Sequence, residues 1–356
     1  MYLYTGIIVL LLAALIILKV KKYKCGKWYV IFSMAVFGCL AAIRSSDVGN
    51  DTSNYLRIFN LISEGTYLDA WDERFEAGYM LLNRLLAEVT NNAQILLIVT
   101  SIIIYACFIY FIIRHSEDYF FSIFLFVTTR FFGQTMSGIR FSIAVAILLV
   151  AYDRLNENHI IQFVLLVMAA ALFHKTAIIF IFIMLFRYIK CNAKAIVLWI
   201  VATMGCYFMA PYVVRELFNL FPSYQSYSDR YITTGVSVGV LLYIAVWGMS
   251  FAIGYAIQIN HRNESKKMNL LNLLMMSTVT VYAMSMYFTL LDRVAQYFGI
   301  FIVIYLPNCI HMVEDTKKRY FIKGIVMAGF MMYFWGIQLL RPEWNAINIY
   351  KAFWMQ

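Results

Sequence analysis

Apolar runs separated by short polar connections recur along the whole chain, and their lengths match membrane crossings. A spanning helix needs about 20 mostly apolar residues. By that measure the runs at 2–18, 28–43, 93–113, 119–132, 135–152, 159–173, 176–189, 195–214, 236–258, 268–290, 294–312 and 320–340 are candidate spans. The 119–132, 159–173 and 176–189 runs are short, so one pair can equally form a re-entrant hairpin. The expected fold is therefore all-α, a polytopic transmembrane bundle of about 10–12 spans. The whole of 1–356 reads as one integral membrane domain, with outer-face loops at 44–92 and 215–235.

Composition supports that pattern. Hydrophobic residues make up 63% of the chain, charged residues only 13%, and the mean hydropathy is +0.73. A soluble fold of 356 residues cannot hide so much apolar surface. The net charge of +10 does not point to nucleic acid, because the basic residues sit between apolar runs and no basic tract or aromatic RNA motif occurs. The first run is followed, not preceded, by Lys19, Lys21, Lys22, Lys24 and Lys27, which reads as a retained helix with a cytoplasmic C-terminal end. The six cysteines show no paired spacing, so neither a disulfide framework nor a zinc site is expected.

The distribution of charge then orients the bundle. With 19–27 inside, the inner segments hold 17 of the 29 basic residues and 7 of the 19 acids. The whole formal charge thus falls on one face, as the positive-inside rule requires, and both termini are expected outside. The inner basic residues are mostly lysine. On the outer side ten of twelve are arginine: Arg44, Arg57, Arg74, Arg84, Arg130, Arg140, Arg215, Arg230, Arg293 and Arg341. Topology needs only charge, whereas the guanidinium fork binds phosphate or carboxylate bidentately. An outer anionic ligand is one reading of that set; contact with lipid headgroups is the other.

Candidate chemistry gathers in the outer segments. In IRSSDVGNDTSNY, Asp51 or Thr52 is placed to cap a helix beginning near Ser53, and Arg44, Asp47, Asp51 and Tyr55 cluster at a span end. In WDERFEAGYMLLNRLLAEV, Phe75, Tyr79, Leu82 and Leu86 recur at helical spacing and predict an interfacial amphipathic helix, with Glu76 near its start as a surface charge or a site residue. The turn RFFGQTMSGIR sets Arg130 and Arg140 on either side of two glycines, with Arg140 just inside the fifth span. A charge at that depth marks either a function or an internal ion pair. LFHKTA carries His174, the one histidine on the expected outer face, beside Lys175. In LLDRVAQY, Asp292 and Arg293 form a self-contained pair or a ligand contact. No P-loop, HExxH or GxSxG occurs, and a metal centre is disfavoured.

Four of these segments, in order, resemble the EpsG family of bacterial exopolysaccharide membrane proteins, grouped with Wzy-type O-antigen and capsule polymerases. They are R-x-x-x-V-G-x-D-T-x-x-Y (Arg44, Val48, Gly49, Asp51, Thr52, Tyr55), E-x-G-Y-x-L-L-N (Glu76, Gly78, Tyr79, Leu81, Leu82, Asn83), G-I-R-F-S-I-A (Gly138 to Ala144) and A-x-L-F-H-K-T-A (Ala170, Leu172 to Ala177). The second half of the chain matches only in general character. The resemblance implies a GT-C-like layout and a membrane glycosyltransferase without cofactor. Its implied place is the outer face of the bacterial inner membrane. There it would join undecaprenyl-diphosphate-linked repeat units by glycosyl transfer to a sugar hydroxyl. It further implies membrane lipid, a chain-length regulator and a flippase as partners. A flippase or transporter of lipid-linked glycan, and an O-antigen-type ligase, are the alternatives. On this reading His174, Asp51 and Glu76 handle the acceptor proton. Arg44, Arg140, Arg293, Arg130 and Lys175 meet the diphosphate. Tyr55, Tyr79 and Tyr231 stack on sugars.

Overall fold

The computed structural model describes residues 26–65, 75–220, 237–261, 268–340 and 349–355, with Gly6 and Ile232 as isolated positions. The first expected span, 2–18, and most of the expected loop at 215–235 lie outside the described residues, and so does Tyr231. Among the described residues the protein is built from helices, and extended pairing is limited to two isolated bridges.

Among the described residues six helical stretches are long and apolar enough to cross a membrane: Gly26–Ile43, Gln94–His115, Ala193–Glu216, Val238–Ile259, Leu291–His311 and Thr316–Leu340. Each coincides with an expected span. The shorter expected spans are present in altered form. The run at 119–132 is interrupted where Arg130 takes a left-handed conformation (φ 70°). That conformation costs a non-glycine residue about 1–2 kcal/mol. The RFFGQTMSGIR segment is accordingly not an open turn but contains a short helix, Phe131–Ser137. The run at 176–189 is not a continuous α-helix. Residues Lys175–Phe182 form a 3₁₀ helix, followed by one α-turn, Ile183–Phe186. Thr176, Ile178, Ile179 and Ile181 crowd this stretch with β-branched side chains, which disfavours the α-helix.

Contacts divide the chain into two units, residues 1–178 with 320–356, and residues 179–319. In the first unit, α1 (Gly26–Ile43) and α4 (Gln94–His115) pack together. Val30, Met34, Phe37 and Ala41 recur at helical spacing and are buried. Phe37 lies 5.9 Å from Phe126 and 4.9 Å from Phe132, ring centre to ring centre. Two helices follow α1 before α4: the amphipathic α2 (Thr52–Ser63) and α3 (Ala77–Ala87). After α4 come α5 (Tyr119–Thr128), α6 (Phe131–Ser137), α7 (Ile139–Asn156) and α8 (Ile160–Ala171). The α7 helix is buried along most of its length and carries polar groups at both ends. Near its C-terminal end Asp153 accepts from Arg114 Nε at 2.6 Å and meets His115 Nε2 at 3.0 Å. The C-terminal segment is tied back to α1. Ser45 N–H donates to the Lys351 carbonyl at 2.9 Å, and Tyr350 hydroxyl to the Leu40 carbonyl at 2.7 Å.

In the second unit, α10 (Ala193–Leu220) follows the α-turn α9 (Ile183–Phe186). Then come α11 (Val238–Ile259), α12 (Asn269–Ser285), α13 (Leu291–Gly299) and α14 (Ile302–His311). Buried side-chain amides fix their register. Gln258 and Asn272 exchange hydrogen bonds at 3.0 and 2.8 Å, and Tyr305 hydroxyl donates to Asn272 Oδ1 at 2.9 Å. Away from water such groups must satisfy one another. Gly254 gives Tyr305 room: a Cβ there would stand 2.6 Å from its ring. The long α10 exposes Val197, Leu198, Ile200, Val201, Met204 and Phe208, all more than half accessible. Water would penalise that face and lipid accepts it. The chain is a multi-pass membrane protein. The last helix, α15 (Thr316–Leu340), places Lys323 beside Asp118.

Candidate functional site

The polar centre of the first unit is built around one carboxylate. Glu76 occupies the N-cap position of α3 in an extended conformation, without capping the helix through its own side chain. That carboxylate is spent on other elements. Arg140 Nη1, from the first turn of α7, donates to Glu76 Oε2 at 2.5 Å. His174 Nδ1, just past α8, lies 3.3 Å from Oε1, and the Lys175 backbone N–H donates to the same oxygen at 3.2 Å. Two segments distant in sequence, around Arg140 and at His174–Lys175, therefore converge on Glu76, which is 6% exposed.

A backbone contact sets this convergence. Gly78 N–H donates to the Leu172 carbonyl at 2.8 Å. A Cβ at Gly78 would lie 2.8 Å from that oxygen and 2.9 Å from Leu172 Cβ, so glycine is the residue that lets α3 approach α8.

Aromatic rings hold the cation. The Arg140 guanidinium stands 4.9 Å from the Phe75 ring centre and 5.9 Å from those of Tyr55 and Tyr79. Such contacts attract a cation to the ring face and position the planar fork. Phe141 meets the His174 ring edge-on at 5.7 Å. Burial pushes the Glu76 carboxyl up, but the hydrogen bond from His174 and the charge of Arg140 outweigh it and hold it down at about 2. Glu76 is thus an ionised anchor at neutral pH.

The remaining sequence candidates have varied surroundings. Arg44 is buried and directed at the backbone. It donates to the Met136 carbonyl at 3.0 Å and to the Ala41 carbonyl, with Thr52 Oγ1 3.4 Å from its Nε. Its geometry is that of a brace between the end of α1 and the end of α6. Gly49, at φ +94°, belongs to the same brace, since a Cβ there would stand 2.5 Å from the Met136 carbonyl. Asp51 is the N-cap residue of α2, which begins at Thr52, one residue before the expected start, and its side chain makes no capping bond. Arg130 is buried at the α5–α6 break. Tyr55 and Tyr79 are buried and pack edge to face at 5.6 Å, so their rings line the arginine rather than presenting open faces. Arg293 is exposed on α13, inside a helix of the second unit. No group of three or more metal-ligating side chains occurs among the described residues.

Sequence reasoning missed two contributors. Phe75, read from the sequence only as part of an apolar stripe, and Phe141, inside the third matching segment, both wall the site, and nothing in their spacing separates a cage wall from ordinary core.

Comparison with known proteins agrees with the motifs that meet here. Neither the curated proteins nor the solved structures include a match to this chain. A model of the EpsG family matches residues 27–351, nearly the whole chain. The chain therefore belongs to the EpsG family, a family of Wzy-type polysaccharide polymerases.

Proposed function

We propose that this polymerase joins lipid-diphosphate-linked repeat units at the outer face of the membrane, with Glu76, Arg140, His174 and Lys175 as its reacting centre. The observation that carries the reading is the convergence of Arg140, His174 and the Lys175 amide on the single buried carboxylate of Glu76.

The chemistry follows from that geometry. A carboxylate against Nδ1 favours the imidazole tautomer that carries its proton there, which makes Nε2 the basic nitrogen. The acceptor sugar hydroxyl attacks the anomeric carbon of the donor glycan and passes its proton to His174. The new glycosidic bond forms as the bond from that carbon to the diphosphate oxygen breaks. The lipid diphosphate leaves with the electron pair. Negative charge grows on it, and Arg140, held by Glu76, and the exposed ammonium of Lys175 supply the cations. One Arg140 nitrogen is held by Glu76 and the fork is braced by three rings, so the cation needs little reorganisation. Glu76 acts as a positioning residue, since a carboxyl held at about 2 is a weak base at neutral pH. The excess of basic residues in the segments assigned to the inner side supports the outer placement.

The test is reconstitution of the full chain in lipid nanodiscs with undecaprenyl-diphosphate-linked repeat units. A ladder of lengthening glycans with matching release of undecaprenyl diphosphate is expected. In proteoliposomes, movement of the intact lipid-linked unit across the bilayer without any ladder would overturn the reading in favour of a flippase.

A further inference from the structure

A second polar surface of the first unit lies on the far face of α2. The inward face of that helix is apolar and carries Tyr55, Ile58, Phe59 and Ile62, all buried. Its outward face carries Ser53, Arg57, Asn60 and Glu64, spaced so that they fall on one stripe. That stripe forms one wall of an open cleft of about 710 Å³, bordered elsewhere by Asn91, before α4, and by Phe353. The volume is within the range that ordinarily holds a small ligand.

The lining selects the ligand class. The amides of Asn60 and Asn91 and the hydroxyl of Ser53 alternate here with Leu56, Leu61 and Phe353, a mixture that suits the hydroxyls and C–H faces of a sugar. The side chains of Asn60 and Asn91 are exposed and hydrogen-bond no other described residue. Each amide offers both donors and acceptors, the pairing that neighbouring sugar hydroxyls require. Arg57 and Glu64 balance in charge, so the cleft has no net pull on a diphosphate. Phe353 is 43% exposed, and Trp354 beside it, at 61%, meets it edge to face at 4.9 Å. An exposed ring gives the C–H face of a sugar an apolar surface to lie on.

We propose that this cleft is an oligosaccharide-binding subsite that holds uncharged sugars of the glycan while its diphosphate end is engaged near Arg140. The inference rests on the function proposed above, and one helix joins the two sites. Tyr55 on one face of α2 touches the Arg140 cage, and Asn60 on the other lines the cleft.

The probe is a set of lipid-free and phosphate-free oligosaccharides, hydrolysed from polymer made by cells carrying the wild-type chain. Binding is measured on the full chain in nanodiscs for wild type, Asn60→Ala, Phe353→Ala and Arg140→Lys. Each cleft substitution should weaken binding by about tenfold, the loss of one good contact, while Arg140→Lys should bind as wild type does. In the polymerisation assay, loss of long products with the first coupling retained identifies the growing chain as the occupant. Loss of the first coupling identifies the incoming unit. Wild-type binding by both cleft variants, or no binding by wild type itself, would overturn the subsite. Failure of wild type to make polymer from lipid-linked units would instead overturn the function on which it rests.

Discussion

Gly78 and Leu172, from the second and fourth matching segments, are joined by a 2.8 Å backbone hydrogen bond, and that bond sets Glu76 against His174. The first prediction follows from the space between them. Gly78→Ala puts a methyl group 2.8 Å from a backbone oxygen, which a rotamer change cannot relieve. Overpacking of this kind costs about 1–3 kcal/mol. The variant should show a lower thermal midpoint and little polymer, measured by fluorescence-detected size exclusion and by product gels. Wild-type values on both would mean that α3 has slack against α8.

Arg140→Lys keeps the charge and loses the planar fork and its fit among Phe75, Tyr55 and Tyr79. Polymer made per folded protein should fall by about tenfold or more. An unchanged product distribution at equal expression would remove Arg140 from the site.

The depressed carboxyl of Glu76 gives a stability test with a defined sign. A group whose folded value lies below its unfolded one stabilises fully above the unfolded value, here 4.5, and loses that contribution as pH falls toward about 2. The thermal advantage of wild type over Glu76→Gln should therefore not shrink between pH 8 and about 4.5, and should decline below that. Thermal midpoints across pH decide it. An advantage already gone at pH 6 would contradict the ionised anchor.

Topology is checked by single cysteines in a background whose native cysteines are replaced. Cysteine at Ser53, exposed on α2, should react with an impermeant thiol reagent in intact spheroplasts, while cysteine at Glu314, exposed before α15, should not. The reverse pattern would invert the orientation.

The fold was largely legible because apolar runs of membrane length have one stable outcome, a helix whose backbone satisfies itself. Arg130 and the 3₁₀ segment were not legible. Continuous apolar character hides a break that arises from local backbone geometry and β-branched crowding. Within the site, Glu76, Arg140 and His174 stood out because charge beside a span is costly and rare. Their meeting point did not, since it depends on how closely α3 approaches α8. Arg44 shows the opposite limit. An arginine at a span end reads as an anion ligand, and its hydrogen bonds to the carbonyls of Ala41 and Met136 were not legible beside that reading. The balance between protein carbonyls and an outside ligand is set by packing, which one sequence does not display.

The central claim is that His174, oriented by Glu76, accepts the proton of the incoming hydroxyl. The decisive measurement is polymer formed per folded protein for His174→Ala, with lipid-linked repeat units supplied to the purified chain in nanodiscs. His174→Ala also removes the hydrogen bond to Glu76, so folded yield is measured alongside and polymer is expressed per folded protein. The expected result is that, in the protein that folds, single repeat units stay on their lipid and no ladder forms. A His174→Ala chain that makes wild-type polymer per folded protein would contradict it.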